Sequence, residues 1–166
     1  AIPIQAILPN VLYGYGQQMK SPVPSLTPSY LGDYSPYKHD IARAKALMRE
    51  AGVKPPIPVD LATRVGWPTH EQAAVWIQRE LEQIGFKVSI AKESDATFRQ
   101  VAIKGDHTLS IESWQSWIND PFYHLNFLFD SRQKFTNLSF YHNEKVNTLI
   151  DANMHEPNVA KRNAAS

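Results

Sequence analysis

No cysteine occurs in the 166 residues of this chain. That excludes a disulfide framework, a thiolate nucleophile and any zinc site built on cysteine, and it is compatible with an oxidising compartment. No apolar run approaches the ~20 residues that a membrane-spanning helix requires. An excess of charge is missing as well. Seventeen Lys and Arg against sixteen Asp and Glu leave a formal charge of +1, so there is no electrostatic footprint for nucleic acid or an anionic membrane. Glycine is sparse, and Gly14-Tyr15-Gly16 lacks both the third glycine and the preceding strand of a phosphate-binding loop. None of the six histidines, His39, His70, His107, His124, His142 and His155, is paired with another at a helical metal-site spacing. A metal centre would have to be assembled from separate loops. Ser113 and Ser116 stand outside any Gly-x-Ser-x-Gly turn, and no nucleophile–base pair is legible. The sequence assigns no catalytic residue, metal ligand or cofactor.

What is present is ordinary globular material, 43% hydrophobic and 20% charged, and long enough to bury a core. The expected organisation is one domain over residues 1–166. The opening Ala1-Ile2-Pro3 carries neither initiator methionine nor signal peptide, and residues 161–166 are polar. The chain therefore reads as a fragment, and any targeting information is expected outside it.

The stretch around which the rest is organised is Ser113-Trp114-Gln115-Ser116-Trp117-Ile118-Asn119-Asp120-Pro121. Residues 107–113 alternate like a strand, with Leu109, Ile111 and Ser113 on one face. Asp120-Pro121 is a helix-start signal, an acceptor at the N-cap followed by a proline whose missing N–H costs nothing there. An alternative role for Asp120 as a general base is disfavoured by that proline. Phe122, Leu125 and Phe129 then recur at helical spacing. Two tryptophans thus occupy a loop between a strand end and a helix start, where open α/β sheets bind ligands. They either cap a core or line a site.

Ile2, Ala6, Ile7 and Val11 outline a short helix disturbed near Pro9. Residues 21–37 interleave Pro22, Pro24, Pro28 and Pro36 with serine and tyrosine, an ordered loop rather than a flexible linker. Asp40 caps a helix carrying Ile41, Ala44, Leu47, Met48 and Ala51, and Gly52 stops it. Residues 57–63 alternate as a strand, and Pro58 places its start near a sheet edge. Thr69-His70-Glu71-Gln72 has capping-box spacing and opens a helix with Ala73, Ile77, Leu81 and Ile84 inward, closed by Gly85. Phe86, Val88 and Ile90 mark the next strand. Ser94 or Asp95 begins a helix with Phe98, Val101 and Ala102, which Gly105 ends. After a turn near Thr136-Asn137, Asn143 caps a helix with Val146, Leu149 and Ile150 inward. Alternating strands and helices predict an α/β fold of βαβ units with a mostly parallel sheet flanked by helices, its strands at 57–63, 86–92 and 107–113. Arg64, Trp67 and His70 follow the first strand, at the same sheet edge as the tryptophan loop. Arg64 there is either a carboxylate partner near a helix N-terminus or a solvated cation beside a packed Trp67.

Together these segments resemble a known family. Tyr37-x-x-Asp40-Ile41-x-x-Ala44-Lys45-x-Leu47-Met48-x-Glu50-Ala51-Gly52 is similar to the "AKxLLxEAG" helix of family 5 extracellular solute-binding proteins, the dipeptide-, oligopeptide- and nickel-binding components of bacterial ABC importers. Ile77-Gln78-x-x-Leu81-x-x-Ile84-Gly85, the strand into Trp114, Asp120-Pro121, and Tyr141-x-Asn143-x-x-Val146-x-x-Leu149-Ile150 agree in order. The opening through Gly14 and Ser21-Pro22-Val23-Pro24 also resembles the family. The resemblance implies one lobe of a periplasmic-binding-protein-like (type II) fold, most of the C-terminal lobe, without the N-terminal lobe and the final strands. It implies capture of a small solute, peptide-like or other, in the periplasm or at the cell surface, and delivery to an ABC permease. It implies no reaction. A ligand-sensing domain of a regulatory protein is the alternative.

One position departs from the family. Peptide-binding members often read Trp-x-x-Asp-x-x-Asp-Pro, the first aspartate pairing with the peptide's α-ammonium, and here Trp117 occupies that place. A buried ammonium left unpaired costs roughly 3–5 kcal/mol, so peptides with a free amino terminus are disfavoured unless another carboxylate compensates. An aromatic wall suits a sugar-like, aromatic or cationic ligand. The expected ligand-binding residues are Trp114, Gln115 and Trp117, with Arg64 and Trp67 on the neighbouring strand end. Trp117 is expected to be exposed in this chain.

Overall fold

The first strand of the chain, β1 (Ile57–Arg64), lies between two parallel neighbours in the computed structural model. The structure describes every residue except Leu31, Asp33, Pro36 and Ser166. Pro36 of the proline-rich loop and the last residue of the polar end therefore lie outside the described residues. These fall into two compact units, Ala1–Gln18 with Pro36–Ser113, and Met19–Ser35 with Trp114–Ser166.

In the first unit β1 pairs with β2 (Phe86–Glu93) from Ile57↔Phe86 to Arg64↔Glu93, and with β3 (Leu109–Ser110) from Leu61↔Leu109. The order is β2-β1-β3, and the three expected segments share one parallel sheet. Pro58 is therefore on the central strand and not an edge strand. Ile57 N–H donates to Gly85 O on the β2 side, so by alternation the nitrogen of Pro58 faces the other side. There β3 does not begin until the level of Leu61, and no ladder bond is lost.

The helices of this unit are α1 (Ile4–Val11), α2 (Ile41–Glu50), α3 (Pro68–Glu82) and α4 (Asp95–Lys104). Pro9 lies inside α1. Asp40 caps α2 through Arg43 N–H at 2.7 Å. Leu61, Ala74, Leu81, Ile84 and Val88 form the core, with Ile41, Ala44, Ile77, Ile90 and Ile111 packed on it. Truncating a residue such as Leu61 would cost about 2–5 kcal/mol. Ala74, rather than the expected Ala73, holds the inner position on α3, because seven residues are nearly two whole turns from Leu81. The expected capping box is also absent. Pro68 starts α3 two residues before the start a Thr69 cap would give, without a side-chain cap, and the Glu71 carboxylate reaches back to Gly66 N–H at 3.1 Å. Gly85 enters β2 at φ +102°, where a Cβ would sit 2.8 Å from Pro55 Cγ. Only glycine fits there. Ser94 caps α4, and Gly105 ends it in the left-handed region.

The strand expected over residues 107–113 is two residues long, for a local reason. Ahead of it, the Asp60 carboxylate takes Thr108 N–H at 2.9 Å and the Thr108 hydroxyl at 2.6 Å, with His107 on its other oxygen. Behind it, after Ile111 N–H donates to Ala62 O, the Glu112 carboxylate takes Ser113 N–H at 2.8 Å. Side chains thus replace the ladder at both ends.

In the second unit α5 (Pro121–Phe129) and α6 (Glu144–Met154) pack together, followed by α7 (Val159–Ala165). Asp120 caps α5 through Phe122 N–H at 2.9 Å, and Asn143 caps α6 through Lys145 and Val146. The helix α7 falls in what reads as a polar end. It is held by Arg162 on Asp120 at 2.8 Å and by Asn153 Nδ2 on Arg162 O at 2.7 Å. The turn near Thr136 is organised by buried Asn137, whose amide donates to Asp130 O and Tyr141 O and accepts from Tyr141 N–H. In the proline-rich loop Val23, Thr27 and Ser29 are buried. Ile150 of α6 points inward, whereas Leu149 is half exposed. Both help to line an apolar cavity of about 300 Å³ with Phe122, Leu125 and Phe129 of α5.

Candidate functional site

The carboxyl end of β1 delivers the buried Arg64 to two carboxylates, the part-exposed Glu112 and the exposed Asp95. Its Nη2 donates to Glu112 Oε2 at 2.6 Å, and its Nε lies 3.3 Å from Asp95 Oδ1. Pairing Leu61 with Leu109 puts Arg64 level with Glu112, two residues past the end of β3. The guanidinium carbon lies 4.4 Å from the Phe98 ring centroid and 5.1 Å from that of Trp67. Arg64 is thus neither solvated nor open to a ligand carboxylate on all sides. Two protein carboxylates meet its charge, and aromatic rings flank it. Trp67 is 38% exposed and packs at 4.9 Å on the His70 ring.

His70 Nε2 lies 2.6 Å from Ser113 Oγ. Burial and the Arg64 charge hold this imidazole below its ordinary value, with Glu112 pulling the other way. The pair was not legible in the sequence, because 43 residues separate its members. It is not a hydrolytic triad. His70 Nδ1 is buried with no hydrogen-bond partner among the described residues, so no carboxylate orients the ring as a general base requires.

In the second unit, Trp114 and Trp117 are both carried against α5. Trp114 is half buried, 5.5 Å from Tyr123 and 5.5 Å from Phe127, which lie 5.0 Å apart one helical turn from each other. Among the described residues, the ring contact shown for Trp117 is with Tyr123, at 6.4 Å, and the indole is 83% exposed. Gln115 is exposed. Asn119 ties the loop to Leu26 O at 3.1 Å. Of the two readings of these tryptophans, the core role describes Trp114 in part and does not describe Trp117. Among the described residues no three His, Cys, Asp or Glu side chains gather as a metal site, and no helix is long and apolar enough to cross a membrane.

The sequence of residues 1–136 matches the model of bacterial extracellular solute-binding proteins, family 5, middle region. The chain belongs to that family. Over 148 residues it is 32% identical to the probable D,D-dipeptide-binding periplasmic protein DdpA of Escherichia coli (strain K12), covering 88% of this chain and 28% of that protein. Over 156 residues it is 27% identical to heme-binding protein A of Haemophilus influenzae, covering 91% of this chain and 28% of that protein. The chain therefore spans under a third of the length of these relatives. Among solved structures, the ABC transporter-associated periplasmic binding protein DppA from Helicobacter pylori, in complex with peptide STSA, superposes with a TM-score of 0.88. The match covers 99% of this chain and 32% of that one at 24% identity, which establishes the fold. The family 5 proteins are binding proteins, not enzymes, and these relatives are named for what they bind. The α/β fold and the family resemblance expected from the sequence are thus both met.

Proposed function

We propose that this chain supplies most of the C-terminal ligand-binding lobe of a periplasmic or cell-surface protein that captures a small solute and delivers it to an ABC permease. The observation that carries the reading is the aromatic wall of the second unit. Trp117 projects 83% exposed from the loop that joins a strand end to an N-capped helix, and family membership makes ligand capture the purpose of such a surface. Trp114 backs this wall and Gln115 offers it an amide. Trp67, in the first unit, is a further ligand contact on its own grounds. Arg64 serves through Trp67, whose ring it underlies.

The name of the D,D-dipeptide-binding relative favours a peptide-like solute. Trp117, where an ammonium-pairing aspartate would stand, favours one whose amino group is absent, blocked or paired elsewhere. Native mass spectrometry of the full-length protein is the test. A co-purified small solute carrying an amide is expected. Protein that emerges empty and binds no member of a panel of free and N-acetylated di- and tripeptides would overturn the reading.

A further inference from the structure

We propose that the hydroxyl of Ser113, held by His70, is a hydrogen-bond donor to a neutral carbonyl oxygen of the ligand. The inference rests on the ligand-binding reading above and adds a contact and its chemical class.

The direction of the hydrogen follows from what His70 can satisfy. A neutral imidazole carries one N–H. Placing it on Nδ1 would bury a donor that has no partner among the described residues, and orphaned buried N–H groups are rarer than under-used acceptors. Placing it on Nε2 lets it donate to Ser113 Oγ across 2.6 Å. The ring is neutral near pH 7, because burial and Arg64 oppose protonation more than Glu112 favours it. With its oxygen accepting from His70, the Ser113 hydroxyl must turn its own hydrogen outward. Ser113 is exposed, and the bond from His70 fixes its oxygen, so among the described residues its hydroxyl hydrogen is left to a ligand.

The class of acceptor follows from the surrounding charge. Arg64 is matched by Glu112 and Asp95, so its charge is already met by protein carboxylates beside a neutral His70. That arrangement gives a ligand carboxylate no advantage over a neutral carbonyl. Trp67, tilted against His70 and 38% exposed, offers an aromatic surface that suits the plane of an amide.

The test uses the full-length protein with two probes, N-acetyl-alanyl-alanine and its C-terminal amide, each in L,L and D,D form, titrated by calorimetry. Long-range 1H–15N spectra of the histidine rings report the tautomer separately. The expected result is an Nε2–H tautomer for His70. Ser113→Ala should weaken the binding of acid and amide alike by about five- to tenfold, and Ser113→Thr should restore most of it. A Nδ1–H tautomer would overturn the inference, as would equal binding by Ser113→Ala. A loss confined to the acid would make the acceptor a carboxylate and overturn the assigned class. If the wild type binds none of the probes, the peptide-like reading fails first and takes this contact with it.

Discussion

Removing Trp117 tests ligand binding at little expense to the fold, since an indole that is 83% exposed contributes few packing contacts to lose. Trp117→Ala should weaken ligand binding by about 1–3 kcal/mol in the full-length protein, as for other aromatic anchors, and leave the unfolding midpoint within experimental error. A large fall in the midpoint with unchanged affinity would return this residue to a structural role. Trp114 should behave differently. It shares rings with Tyr123 and Phe127, so Trp114→Ala should lower affinity and stability together. Sequence reasoning separates the two only partly. Both tryptophans were visible at the end of a strand, but which one α5 would cover depends on where Tyr123 and Phe127 face. Arg64 shows the same boundary. Its place at a strand end was legible, whereas its partners Glu112 and Asp95 require knowing that β3 lies on one side of β1 and β2, which leads into α4, on the other.

Elements were most legible where a local signal and the tertiary structure agree. Asp40, Ser94, Asp120 and Asn143 each cap the helix that follows, because capping needs only neighbours in sequence. β3 is shorter than its alternation predicts because the distant Asp60 takes over its start and the adjacent Glu112 its end. Reading failed at α7, whose short polar sequence carries no apolar stripe and is held by Asp120 and Asn153. The double duty of Asp120 gives a test of relative weight. Asp120→Ala removes the α5 cap and the Arg162 bridge and should cost about 1–2 kcal/mol in urea unfolding, mostly through the cap. Asp120→Asn keeps an acceptor at the cap and loses only a partly exposed ion pair, worth up to about 1 kcal/mol. Equal losses in the two variants would show that the bridge to α7, and not the cap, is what matters.

At the scale of the whole molecule, enclosure and protonation set what the chain does alone. Good small-molecule sites bury most of the ligand surface, and this chain spans under a third of the length of its relatives. The isolated chain should therefore bind a given solute more weakly than the full-length protein, and equal affinities in parallel titrations would show that it carries the entire site. Stability should fall with acid in two stages. His70 and His124 are buried, and burial holds both below their ordinary value. Between those lowered values and about 6.5 the unfolded chain binds more protons than the folded one, so stability is full above that range and is lost as the pH falls through it. The second stage belongs to carboxylates. Burial alone would raise Asp60, but hydrogen bonds from Thr108 and His107 overcome it and hold the group at about 2. Arg132 lowers Asp130 and Asp151, and Lys92 lowers Glu71. Their contribution is complete above about pH 4.5 and disappears as the pH drops toward the folded-state values, the same sign in a lower window. Urea midpoints measured from pH 8 to 3 should thus decline first below neutrality and again below about 4.5, with the ring protons of His70 and His124 titrating under their ordinary value. A midpoint that rises between pH 7 and 5.5, with both rings titrating at or above about 6.5, would mean that these histidines are stabilised as cations and that the first stage does not exist.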